Sequence, residues 1–110
     1  MVKTVTNETD STLKKISNHL KSEHDLHTLF GEVIPTKRTV PNSKTIINFM
    51  PDLFIPELRI PIETTADKER DADYMKIGML PMVIGEHLKV SVEEYIDNFL
   101  DFHKKWVEEI

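Results

Sequence analysis

Two histidines in the stretch SEHDLH, His24 and His27, come nearest to a chemical signature in this chain. On a helix, residues i and i+3 share a face, and imidazoles so placed can hold one divalent ion between them. His19, Glu23 and Asp25 lie nearby in sequence. The stretch is not the His-Glu-x-x-His pattern, in which imidazoles four apart flank a general base, and no third ligand is specified. The plainer reading sets His24 and His27 at the border of a buried face, half exposed and without a ligand.

His87 and His103 fall on apolar stretches near the C-terminus. Two such histidines can meet as a ligand pair or a proton-sensitive switch, but a buried imidazole with one satisfied hydrogen bond is the commoner arrangement. The run DKERDAD offers Asp71 and Asp73 as oxygen ligands for Mg²⁺. Residues two apart on a helix point away from each other, so a solvated acidic helix start explains the run better. With three glycines, at 31, 78 and 85, the chain has little from which to build a phosphate cradle, and neither a nucleophile elbow nor a Ser/His/Asp framework is visible. The sequence therefore implies no cofactor and no recognisable catalytic apparatus.

The acidic residues carry a different kind of chemistry. Residues 1–50 hold seven Lys/Arg against five Asp/Glu, a balance of +2, whereas residues 51–110 hold seven against fourteen, a balance of −7. A surface so negative repels phosphate backbones and attracts basic partners. The negative charge is concentrated on one face of the last helix, at Glu93, Glu94, Asp97 and Asp101.

That helix, expected over residues 91–110, is the clearest element of the chain. Ser91 with Glu94 three residues on forms a capping box. Val92, Tyr95, Ile96, Phe99, Leu100, His103, Trp106, Val107 and Ile110 recur at three and four, which at 100° per residue makes a stripe about 140° wide. Such a stripe is buried in the domain's own core or partly against a second chain. Preceded by VIGEHL, the helix has the outline of a helix-turn-helix DNA reader, with Gly85 in the small-residue position of the first helix. The later core positions fall on Tyr95 and Asn98 rather than on Ile96 and Phe99, and the face that would enter a groove carries acids with no Arg or Gln to read a base. DNA binding would have to use Lys37, Arg38 and Lys44 instead. A helix-turn-helix hairpin used only for packing is the better expectation.

The elements that must position these residues divide into three textures. The start, residues 1–9, reads as a polar tail, and residues 10–110 read as a single domain. Asp10 and Ser11 are capping types ahead of Leu13, Ile16 and Leu20, which predicts a helix over about 10–22 and a further short helical piece to about residue 30. Gly31 and Pro35 end it. Between 32 and 63 prolines at 35, 41, 51, 56 and 61 exclude helix. KTIINFM (44–50) and ELRIPIE (57–63) have strand patterns, predicting a small antiparallel sheet or hairpin with residues 36–44 as an exposed, mildly basic loop. Pro61 cannot donate to a ladder, so its strand is expected at an edge or to stop pairing there. Residues 64–80 return to a helical texture with Thr65 as cap, and 81–89 read as a further helix opened by Pro81. A buried strand over residues 76–85 is the competing reading of that second stretch.

These patterns make an α+β fold in which an N-terminal helix, a small Pro-interrupted antiparallel sheet and C-terminal helices follow one another. A chain of 110 residues suffices for one domain with a sizeable core, and 39% apolar with 30% charged residues is a water-soluble composition. The absence of cysteine, of an apolar leader and of any long apolar run gives a cytoplasmic expectation and excludes disulfides. The function expected is non-enzymatic protein binding, as an adaptor, inhibitor or assembly subunit. The partner would be a basic polypeptide or another copy of the chain, rather than nucleic acid or membrane. The candidate surfaces are the acidic face of Glu93, Glu94, Asp97 and Asp101 and an apolar set of Leu53, Phe54, Ile55 and Trp106. Leu53, Phe54 and Ile55 enter because the flanking prolines leave MPDLFIP little regular structure in which to hide them.

Overall fold

A computed structural model describes the backbone of residues 7–109 and the side chains of residues 11–109. The fold is α+β, with element order α1 (Asn7–His24), β1 (Ile34–Thr39), β2 (Ile46–Phe49), β3 (Leu53–Ile55), β4 (Ile60–Glu63), α2 (Lys68–Lys76), β5 (Met82–Val83) and α3 (Val92–Glu109). Among the described residues no helix is long and apolar enough to cross a membrane.

The apolar series Leu13, Ile16 and Leu20 does bury one face of α1. The helix begins earlier than its expected caps, so Asn7–Thr9 of the expected tail are helical, while residues 1–6 lie outside the described residues. It ends where Asp25 turns to a left-handed φ of 52° and the Leu26 N–H reaches back 3.0 Å to the Leu20 carbonyl. That return satisfies one of the last carbonyls of the helix, one residue further back than a Schellman bond would reach, and Leu26 packs on the core. The helical piece expected to residue 30 is therefore not formed. Leu29 instead runs alongside β3, exchanging both backbone hydrogen bonds with Phe54 at 2.7 and 3.0 Å.

The strands pair differently from the expected single patch. β1 and β2 form their own antiparallel ribbon, so half of the expected loop over 36–44 is strand. Its connection turns at Val40–Ser43, with Pro41 followed by Asn42 at φ 61° and the Ser43 N–H donating to the Val40 carbonyl. Pro then a left-handed Asn is the demand of a type II turn. β3 and β4 form a second hairpin, and β5 adds to β4 in parallel, which puts β4 at the centre.

A proline in a central strand departs from expectation, and the hydrogen-bond phase explains it. Phe54 faces Pro61 in the register, but both backbone groups of Phe54 are spent on Leu29 on its other side. Phe54 and Pro61 are thus a non-bonded pair, and the Pro61 nitrogen points away from β3. On that other side pairing with β5 begins only at Ile62. No ladder bond is asked of the Pro61 nitrogen.

The helix expected over 81–89 is absent. Met82, Val83 and Ile84 extend the sheet, with the Ile84 N–H donating to the Glu63 carbonyl at 2.8 Å, and residues 85–88 are a turn. α2 is shorter than the expected 64–80, and its cap is Asp67, not Thr65. The Asp67 carboxylate accepts from the Arg70 N–H. With no helix between β5 and α3, neither a DNA-reading nor a packing helix-turn-helix is formed here.

Strand alternation then sorts the core into two layers. Leu53, Ile55, Ile60 and Ile62 face one way, into a cluster with Leu13, Ile16 and Leu20 of α1 and Ile96 of α3. Phe54 faces the other way, joining Ile34, Tyr74 and Met79, against which Phe49 also packs. The three-stranded sheet is covered by α1 and α3 on one face and by α2 with the β1–β2 ribbon on the other.

Candidate functional site

α3 starts as its sequence demands: the Ser91 hydroxyl accepts from the Glu94 N–H at 3.1 Å, and the Tyr95 N–H donates to the Ser91 carbonyl. Ile96 turns into the core, and Asp97, the next residue, projects toward the end of α1. There His19 and His24 both meet it. Each imidazole Nε2 lies 2.7 Å from the same oxygen, Asp97 Oδ1, and the rings stand edge to face with centroids 5.6 Å apart. Hydrogen bonds first from His19 and then from His24 hold the Asp97 carboxyl below its ordinary range. His24, in the last turn of α1, also sits at the negative end of a helix dipole.

His24 and His27, expected to share a helical face, are separated by the end of the helix at Asp25. His27 belongs to a different contact. Its Nδ1 is 2.7 Å from Glu57 Oε2, and its backbone N–H donates to the same carboxylate at 2.9 Å. These bonds pull the Glu57 carboxyl below its ordinary range and tie the segment after α1 to the turn between β3 and β4. The partner of His24 is instead His19, which the sequence reading set aside as a mere neighbour. Spacing holds no signal for it, since residues five apart do not share a helical face and Asp97 lies 73 residues beyond His24.

No family model matches this chain, and neither a curated protein nor a solved structure was found to be similar to it. The site has to be read from its own atoms.

The remaining candidates scatter. Of the acidic face, Glu94 and Asp101 are exposed and Glu93 is half-buried, while Asp97 is held by the histidines. Leu53, Phe54 and Ile55 are buried in β3, which overturns their assignment as an exposed partner surface; the prolines flank a short strand rather than prevent one. Trp106 is half-buried near the end of α3. Arg38, proposed for phosphate contact, is engaged by Asp73 at 3.1 Å and Glu69 at 3.3 Å, which leaves Lys37 and Lys44 as exposed neighbours. Asp71 turns to Arg70 and Asp73 to Arg38, so the two acids do not converge on an ion. His87 is exposed beside an open cleft that Thr12, Thr64, Gly85 and Val92 also line.

His103 is buried, with its ring between those of Phe99 and Trp106 at centroid distances of 6.2 and 5.9 Å. Burial pushes its pKa below the ordinary 6.5. The unfolded chain then binds a proton that the folded chain refuses, so this stabilisation is present above about pH 6.5 and is lost as the pH falls. His103→Leu removes that linkage. Urea midpoints measured at pH 7.5 and pH 5 should move less in the variant than in the natural chain, and equal movement would show that His103 does not titrate differently on folding.

Proposed function

We propose that this chain is a non-enzymatic interaction domain that docks the C-terminal half of α3 on a second polypeptide. The observation that carries the reading is where the apolar stripe of α3 outruns the core. His24, the last residue of α1, meets α3 at Asp97, and α3 continues to Glu109 beyond that point. The core draws on Val92, Tyr95, Ile96, Phe99 and Leu100, whereas Phe102 and Val107 are 58% and 47% exposed on either side of the half-buried Trp106. Aromatic side chains that are large and cheap to order are the usual anchors of protein interfaces. Placing the chain among binding proteins also rests on its sequence, in which no catalytic framework is written.

The acidic face lies on the far side of α3 from this stripe. Glu94 and Asp101 there add long-range attraction for a basic partner rather than contact with it. The cysteine-free composition fits a cytoplasmic setting.

The test is a native mass spectrum of protein isolated gently from its own source. A mass of one chain plus a second polypeptide, or an integer multiple of 12.8 kDa, supports the reading. The bare chain, in cross-linked and untreated extracts alike, overturns it. Phe102→Ser with Val107→Ser should then abolish the complex while changing stability by no more than about 0.5 kcal/mol per exposed site. A complex that survives both substitutions would place the interface elsewhere.

A further inference from the structure

We propose that His19, His24 and Asp97 form a binding site for one divalent first-row transition ion of the zinc or ferrous type. Among the described residues these three side chains bring one donor atom each into a group in which no two atoms are more than 4.8 Å apart. Two imidazoles and one carboxylate are a donor set suited to zinc, iron, cobalt or nickel and ill suited to Mg²⁺ or Ca²⁺, which take oxygen.

The geometry is that of a site in which the carboxylate already stands against both imidazoles. An ion about 2.0–2.1 Å from each donor in a tetrahedron holds the donors about 3.4 Å apart. The Nε2 to Oδ1 distances are 2.7 Å, so the carboxylate oxygen has to withdraw by about 0.7 Å from each nitrogen to admit the ion. Asp97 can do so because its side chain is 51% exposed, while His19 and His24, at 13% and 27%, are held by the packing between α1 and α3. The donors come from two helices that are already in register, and the exposed side of Asp97 provides both an entry path and room for water in the open coordination position.

Without an ion, both imidazoles donate Nε2–H to one oxygen. With it, each Nε2 turns its lone pair to the metal and a neutral ring keeps its proton on Nδ1, exchanged through water. A ring that is protonated beforehand gives one proton to solvent. The ion adds two positive charges beside a carboxylate in a chain of net charge −5, a change the surroundings favour. It would also staple the end of α1 to α3. The site is separate from the exposed pair Phe102 and Val107, so its existence and the docking of α3 stand or fall independently.

The experiment uses the full chain without a histidine tag, stripped with chelator and titrated with ZnCl₂ by calorimetry, while ring nitrogens of the five histidines are followed by NMR. The expected result is one zinc per chain, a melting temperature that rises with zinc concentration, and shifts confined to the ring nitrogens of His19 and His24. MgCl₂ should produce none of these. Asp97→Asn keeps an oxygen acceptor but removes the charged ligand, and should weaken zinc binding at least about tenfold, since even partners behind a ligand are worth that much. Asp101→Asn, one turn along α3, should leave it unchanged. The inference is overturned by the absence of stoichiometric zinc binding, by shifts centred on His27 or His87, or by an affinity that Asp97→Asn leaves intact. The NMR result on the natural chain decides the matter even if a variant fails to fold.

Discussion

Replacing Tyr74 with alanine lowers the stability of this domain by about 3–5 kcal/mol, the usual cost of deleting a buried aromatic ring. Small domains have about 5–15 kcal/mol in all, so the variant stands near the edge of folding. Tyr74 is fully buried on α2, with its ring 5.1 Å from that of Phe49 and in the same cluster as Ile34, Phe54 and Met79. It therefore joins α2 to both the β1–β2 ribbon and the central sheet. Its hydroxyl donates to the buried Glu63 carboxylate at 2.8 Å, a bond to a charged group. Tyr74→Phe keeps the ring and removes only that donor, and should cost about 1–3 kcal/mol. Urea denaturation of the two variants separates packing from hydrogen bonding.

The same hydroxyl gives the domain an alkaline limit. Burial first, and the neighbouring Glu63 next, push the Tyr74 pKa far above its ordinary value of 10.0, and burial raises that of Tyr95 as well. These are the two tyrosines of the chain. Below pH 10 both stay protonated in either state and their contribution to stability is whole. Above it the unfolded chain loses protons that the folded chain keeps, so stability falls as the pH rises. A spectrophotometric titration should show Tyr74 still protonated at pH 10.5 while the fold persists, ionising only as the fold is lost, with Tyr95 titrating later than a free tyrosine. Ordinary ionisation of Tyr74 near pH 10 in the folded protein would contradict its burial.

How much of this was legible in the sequence depends on how local each determinant is. α3 could be read almost to the residue because its cap and its stripe are contiguous in sequence, from residue 91 onward, and support each other. α1 was legible in its buried face but not in its ends, since its stop is a left-handed Asp25, a conformation that glycine adopts more readily. The sheet was legible only as a texture. Strands of two to six residues carry little period of their own, and their partners are chosen by contacts remote in sequence. Nothing in KTIINFM says that it pairs backward with Ile34–Thr39 rather than forward with Ile60–Glu63. The run Met82–Ile84 looked helical behind Pro81, yet an unbroken apolar run is also what a strand covered on both faces requires. The histidine cluster was hidden for the same reason: His24 was noticed for a local partner, His27, and its actual partners are set by how α1 lies against α3.

Ile55→Ala should cost about 2–5 kcal/mol, and this outcome separates two accounts of the MPDLFIP segment. If Leu53, Phe54 and Ile55 were held out between prolines for a partner, truncating Ile55 would weaken binding and leave the folded chain about as stable as before. In β3 the side chains alternate instead. Leu53 and Ile55 meet Ile60 and Ile62 beneath α1 and α3, while Phe54 enters the opposite layer with Tyr74. Ile55 is completely buried and pairs with Ile60 across the hairpin, so its loss leaves a cavity at a point where the sheet and both long helices converge. The prolines that suggested disorder act as boundaries: Pro51 is buried just before the strand, and Pro56 opens the turn that reverses it. Leu58, in the same turn and exposed, is the internal comparison, since Leu58→Ala should change stability by no more than about 0.5 kcal/mol. Equal urea midpoints for the two variants would return Ile55 to the surface. A large loss confined to Ile55→Ala places the segment in the core and leaves the C-terminal half of α3 to meet a partner.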